Sequence, residues 1–253
     1  MEYFLIATCA FLASLLAFYS GFGLGTLLMP VIAIFFPLPV AIALTAVVHL
    51  LHSALRTGLL WKEVNWNIVL RFGIPAVLAA IVGAWLLKKL AFLGPIGSYE
   101  WFGRREISLL HLLIGGLLIA FATLELFPRK GYQMKSLFWG GVLSGFFGGF
   151  SGNQGAFRSL FLMNADLQMK SFIGTNALIS VAVDGVRLII YGLSFGMLLK
   201  NIQGSLWLST MGGAIGGVGL GMLFLKKITL IHIQKVIIVL LYLFGILLAL
   251  GII

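Results

Sequence analysis

Ser144 to Arg158 reads SGFFGGFSGNQGAFR: five glycines, two serines, an asparagine, a glutamine and an arginine, inside a chain that is otherwise strongly apolar. An uninterrupted membrane helix has no use for that mixture. Glycine frees the backbone and the amides offer hydrogen bonds, so the stretch predicts a helix broken at membrane depth, with Gly149, Gly152 and Gly155 at the break. Broken segments of this kind line cavities where something binds. An earlier stretch, Ser20-Gly21-Phe22-Gly23-Leu24-Gly25, repeats the pattern through Gly21, Gly23 and Gly25.

The rest of the chain fits a membrane setting. Of 253 residues, 61% are hydrophobic and 9% charged, with mean hydropathy +1.12. Soluble domains carry roughly 25% charged residues. Apolar runs long enough to cross about 30 Å of hydrocarbon follow one another with no room for a soluble domain. The net charge of +10 sits as single or paired Lys and Arg at the ends of apolar segments, which marks topology and argues against a nucleic-acid partner. Cys9 is the sole cysteine, so neither a disulfide nor a thiolate metal site is expected. Met1-Glu2 lacks a basic n-region, and the first apolar run is expected to stay in the mature protein.

In order, the expected elements are a broken segment from Tyr3 to Phe36, then helices over Val40–Trp61, Asn67–Leu87 and Ile107–Phe127. The second half repeats the plan: a broken segment from Leu137 to Met163, then helices over Lys170–Gly192, Ile202–Leu225 and Ile233–Ile252. Between Leu87 and Ile107 lies a basic connection in which Tyr99, Trp101 and Phe102 are candidate headgroup anchors.

A slide of 130 residues lays Gly25 on Gly155. A slide of 131 lays Thr45 on Asn176, His49 on Ser180, Ser53 on Asp184 and Arg56 on Arg187. Steps of three or four residues put each set on one helix face. The expectation is an all-α polytopic membrane protein of two homologous four-segment repeats, residues 1–130 and 131–253, about eight segments in all. If the broken segments span, the repeats are parallel; if they re-enter, the repeats are inverted. Leu137 to Phe150 is a limb of only about 21 Å, which favours a re-entrant hairpin with Gly149 to Gly155 at its tip.

Four arginines are read as embedded: Arg56, Arg71, Arg158 and Arg187. Either arrangement divides the other thirteen Lys and Arg eight to five, with the N-terminus on the poorer side. Both termini are therefore expected away from the cytoplasm. A charge at the bilayer centre costs about 2.5 to 3.5 kcal/mol, so embedded arginines are expected to face the interior. Two plainer readings stand beside this: Asp184 and Arg187 neutralise one another, or Arg158, whose nearest acidic neighbour on its helix is Asp166, snorkels to an interface. The arginine excess favours an anionic passenger, and amides around Gly152 to Ala156 suit its oxygens. His49 and His52 have the spacing of a metal pair but no carboxylate or cysteine beside them, so polar packing or proton handling is the better reading. No G-x-S-x-G elbow, H-E-x-x-H pair or phosphate loop is present, so no enzyme activity and no cofactor are expected.

The paired glycine-rich breaks, the Ile173-Gly174-Thr175-Asn176 run with its counterpart Ala43-Leu44-Thr45-Ala46, and the four-plus-four layout resemble the TauE/SafE sulfite exporter family, also called TSUP. Two details depart from that pattern: Asn153-Gln154 stands where further glycine is common, and Leu160 where the first half has Pro30. The resemblance implies an inner-membrane permease for sulfur-containing anions such as sulfite, thiosulfate or organosulfonates. The expected substrate site is Ser151, Asn153, Gln154, Arg158, Asn176, Asp184 and Arg187, with Thr45, His49, Ser53 and Arg56. Arg158 and Arg187 would balance substrate charge, and Asp184 or His49 would couple a proton. A channel, a cation-coupled carrier of a neutral solute and a non-transporting scaffold are the alternatives; the scaffold requires the two breaks to lie apart.

Overall fold

The structure, a computed structural model, describes residues 2–20, 24–100, 103–126, 136–162, 165, 167–200, 204–223 and 231–253. Gly21, Gly23, Trp101, Phe102 and Asp166 lie outside them. The helices are α1 (Glu2–Ser20), α2 (Leu24–Ala33), α3 (Leu38–Leu59), α4 (Trp66–Ala91), α5 (Leu109–Leu126), α6 (Leu137–Ser151), α7 (Gln154–Leu162), α8 (Met169–Lys200), α9 (Gly204–Leu223) and α10 (Ile231–Ala249). Among the described residues, four helices are long and apolar enough to cross a membrane: Leu38–Leu59, Trp66–Ala91, Met169–Leu193 and Gly204–Leu223. The fold is not wholly helical. In the basic connection, β1 (Gly97–Glu100) and β2 (Arg104–Ile107) form an antiparallel ribbon, and Tyr99 donates its hydroxyl to the Leu250 carbonyl instead of standing free as an anchor.

Both glycine-rich segments are broken. Ser136 caps α6 through the Trp139 amide. The helix ends where Gly152 turns left-handed at φ 82°, a conformation costly for any residue with a β-carbon. The chain then doubles back. Gly148 lies against Gln154, Gly140 against the Phe161 ring, and Ser144 Oγ donates to the Gln154 carbonyl at 3.0 Å, so α7 runs antiparallel to α6. α2 likewise returns along α1, bringing the Leu27 carbonyl to Cys9 Sγ; all ten of its residues are buried. A limb that is apolar on every side and sealed by protein needs no lipid-facing surface.

The helices associate as pairs exchanged between the halves. α1 packs along α9 and α6 along α4, α3 faces α8, and α5 faces α10. Gly141, Gly145 and Gly149 sit on Phe72, Ala76 and Ala80 of α4 so closely that an added β-carbon lies 2.3, 1.9 and 2.1 Å from the three carbonyl oxygens. A β-carbon added at Gly213 or Gly217 of α9 would lie 2.3 or 2.5 Å from the Ala7 or Phe11 carbonyl oxygen of α1. Small residues four apart allow this approach between helices, where dispersion replaces the hydrophobic drive absent in lipid. A π-helical turn at Val69–Gly73 opens α4 and presents the Phe72 carbonyl to Gly141.

Direction follows from the contacts. Both glycine-stripe pairs run parallel. α3 and α8 are antiparallel, pairing Leu60 with Gly174 and His49 with Asp184, and so are α5 and α10, pairing Gly115 with Ala249 and Thr123 with Tyr242. Trp66 and Trp85 stand nineteen residues apart on α4, about 28 Å, with Lys89 Nζ 3.8 Å above the Trp85 ring and Trp61 packed edge-on against Trp66. That is the spacing of two membrane interfaces. Arg71 is exposed in the π-helical turn, only five residues from Trp66, and so does not face the interior with Arg56, Arg158 and Arg187.

Gly145→Ala is expected to force α4 and α6 apart and to cost about 1 to 3 kcal/mol. Gly116→Ala, which meets nothing within 4 Å, serves as the control. Thermal midpoints in detergent should fall only for the first.

Candidate functional site

The polar stripes of α3 and α8 face one another across the antiparallel pair, and the tip of the α6–α7 hairpin drops between them. Asp184 is fully buried and accepts from three elements. His49 Nδ1 of α3 lies 2.6 Å from Oδ2, while Gln154 Nε2 of α7 and Arg187 Nε of α8 each reach Oδ1 at 2.9 Å. Arg187 also donates through Nη1 to the Gly148 carbonyl at 3.2 Å, tying the broken helix to α8. The plainer reading of Asp184 and Arg187 as an ion pair therefore holds, within a larger network.

Arg158 is also fully buried and does not snorkel. Its Nη1 donates to the Asn176 carbonyl at 2.9 Å, to Asn176 Oδ1 at 3.0 Å and to Ser180 Oγ; its Nη2 donates to Gln154 Oε1. Gln154 is thus a relay that accepts from a guanidinium and donates to a carboxylate. Arg158, Gln154, Asp184, Arg187, His49, Asn176 and Ser180 make one connected network.

The remaining expected residues are buried nearby and less engaged. Arg56 donates through Nη1 to the Ala17 carbonyl at 3.1 Å, and its Nε has no partner. Ser53 Oγ, Thr45 Oγ1 and both amide atoms of Asn153 are buried without partners. Ser151 Oγ turns back on the Phe147 carbonyl and caps the Asn153 amide. The two breaks meet: a β-carbon at Gly25 would lie 2.8 Å from the Gly152 carbonyl and 3.9 Å from Asn153 Oδ1. Gly149 and Gly155 lend carbonyls, to the Tyr191 and Ser159 hydroxyls. His49 and His52 do not converge on a common ligand, since His52 Nε2 contacts the Ser14 carbonyl at 3.1 Å.

Two residues beyond the expected site take part: Ser180, which the sequence placed on the polar stripe but not in the site, and Tyr191. The signal for Tyr191 was present, because 176, 180, 184, 187 and 191 continue one helix face. The structural arithmetic is plain: three buried guanidiniums, Arg56, Arg158 and Arg187, face one carboxylate among the described residues. Such an arrangement can accept an anion without further charge rearrangement.

A family model for the sulfite exporter TauE/SafE matches residues 6–248. The chain belongs to the sulfite exporter TauE/SafE family. It is accordingly a multi-pass membrane protein of a permease family. No curated protein and no solved structure matches it.

Asp184→Asn keeps the shape but leaves Arg187 buried without its counter-charge. Breaking a buried pair from one side costs about 3 to 5 kcal/mol. Denaturation of the purified variant in detergent should show a loss of that size, and a midpoint equal to wild type would contradict the network.

Proposed function

We propose that the protein is a secondary transporter that exports small sulfur-containing anions such as sulfite, thiosulfate or organosulfonates across the inner membrane. The substrate site lies where the two broken segments meet between α3 and α8. The observation that carries this reading is the buried excess of guanidinium over carboxylate beside two opposed helix breaks. Charges at that depth are retained for a function, and a passing oxyanion supplies the missing counter-charge. Family membership supports the same substrate class.

The architecture we infer is a pair of inverted repeats, residues 1–130 and 131–253, each opening with a re-entrant hairpin. Antiparallel pairing of the equivalent helices α3 with α8 and α5 with α10 supports inversion, as does the exchanged packing of α1 on α9 and α6 on α4. A repeated bond supports duplication: Arg56 donates to the carbonyl 39 residues before it, and Arg187 does the same. Inverted repeats around a midplane site suit alternating access. Both termini lie on the non-cytoplasmic side in this reading, and the exposed Arg71 adds one more cation to the opposite, richer face. Asp184 and His49, in contact, are the groups placed to couple a proton.

Reconstituted into vesicles, the wild-type protein is expected to release loaded sulfite and thiosulfate at least tenfold faster than protein-free vesicles, with no change in glycerol leakage. Glycerol release without sulfite release would replace the anion reading by a neutral-solute pathway.

A further inference from the structure

The two stripes share their arginine and its bond to a carbonyl 39 residues earlier, and differ in what stands beside that arginine. In the second half, Arg187 donates to the Gly148 carbonyl and pairs with Asp184, three residues before it. In the first half, Arg56 donates to the Ala17 carbonyl, and three residues before it stands Ser53. At this second position the carboxylate is missing, and Arg56 Nε and Ser53 Oγ are both buried without partners.

The groups around Arg56 extend the pattern. Antiparallel packing sets Gly174 against Leu60, so Asn176 and the Arg158 guanidinium bound to it lie level with Arg56. Arg56 is near enough for its charge to bear on both Arg158 and Asp184. Arg158 Nε and Asn176 Nδ2 are buried and unpartnered as well. Arg56 Nε, Arg158 Nε and Asn176 Nδ2 are all donors, with the Ser53 hydroxyl able to join them. A buried donor left unmatched costs about 1 to 3 kcal/mol, more when charged. The ligand that best matches two guanidinium donors and an amide donor is an anion with at least two oxygens.

We propose, resting on the anion-transport reading above, that the transported oxyanion occupies in the first half the place that the Asp184 carboxylate occupies in the second. Arg56, not Arg187, is then the principal substrate cation. Its oxygens accept from Arg56, Asn176 and Ser53, and Arg158 closes the site from α7. The repeated stripe then holds a built-in carboxylate in the second half and a borrowed oxyanion in the first. Arg187 and Asp184 are the scaffold that fixes the hairpin tip.

The test supplies the missing carboxylate. Sulfite-induced thermal shift and vesicle flux would be measured for wild type, Ser53→Asp, Ser53→Asn and Arg56→Gln. Ser53→Asp is expected to melt higher than wild type without ligand, to lose the sulfite shift and to lose at least tenfold in flux. Ser53→Asn, of the same shape as Ser53→Asp and uncharged, fills the space without neutralising Arg56, so it should lack the rise in ligand-free midpoint. Arg56→Gln removes a buried cation that has no carboxylate of its own, so its loss of midpoint should be small beside that of Asp184→Asn while sulfite affinity falls at least tenfold. A Ser53→Asp protein that binds sulfite like wild type overturns the proposal. If Ser53→Asp does not fold, undiminished sulfite affinity in Arg56→Gln overturns it instead. Wild-type flux with indifferent variants refutes only this assignment, whereas a wild type inert to sulfite refutes the transport reading and the proposal with it.

Discussion

A carboxylate enclosed by apolar helices must be matched by donors on every side, and Asp184 meets that demand by drawing on three separate elements. His49 commits α3, Gln154 commits the hairpin tip, and Arg187 commits α8 together with the Gly148 carbonyl. Removing any one of these leaves charge or polarity stranded where water cannot reach, a penalty of several kcal/mol against a total stability of order ten. The network therefore fixes where the break sits, how deep the hairpin drops and how α3 and α8 register. Arg158 extends it to Asn176 and Ser180, so that the polar network is continuous from α3 through α7 to α8.

That polar core is held by packing of a different kind. The glycine stripes of α6 and α9 let backbones approach to distances a single methyl group would forbid. Close approach draws α6 onto α4 and α1 onto α9, and each pair joins an element of one half to an element of the other. Neither half can close without its counterpart, which explains why the breaks meet at Gly25 and Gly152 instead of lying apart as a scaffold would have them.

Much of this was legible in the residues. Glycine and amide inside an apolar run announced the break, and steps of three and four residues announced both polar faces, including the positions of Arg56, Asp184 and Arg187. The matched offset of 131 residues anticipated the repeated bonds from Arg56 and Arg187 to backbone carbonyls. What the residues concealed depends on partners distant in sequence. The residue three places earlier already separates Arg187, which follows Asp184, from Arg56, which follows Ser53, but not the consequence that Arg56 Nε lies buried without a partner. Ser180 was placed on the stripe by the offset, but its partner Arg158 is known only from the fold. Arg71 misled because its neighbours are apolar, yet it stands close to Trp66 at the membrane edge. The β-ribbon formed in a segment whose charges spoke only of topology, and its contact with the C-terminal end is set by tertiary packing.

The central claim is that an oxyanion lies between Arg56 and Arg158 and completes the charge balance of the core. Selenite has the shape of sulfite and a strong anomalous signal, so diffraction from crystals grown with it locates the anion directly. The account predicts one anomalous peak within hydrogen-bonding distance of Arg56 and Asn176. A peak seated only on Arg187, or confined to the protein surface, would contradict it.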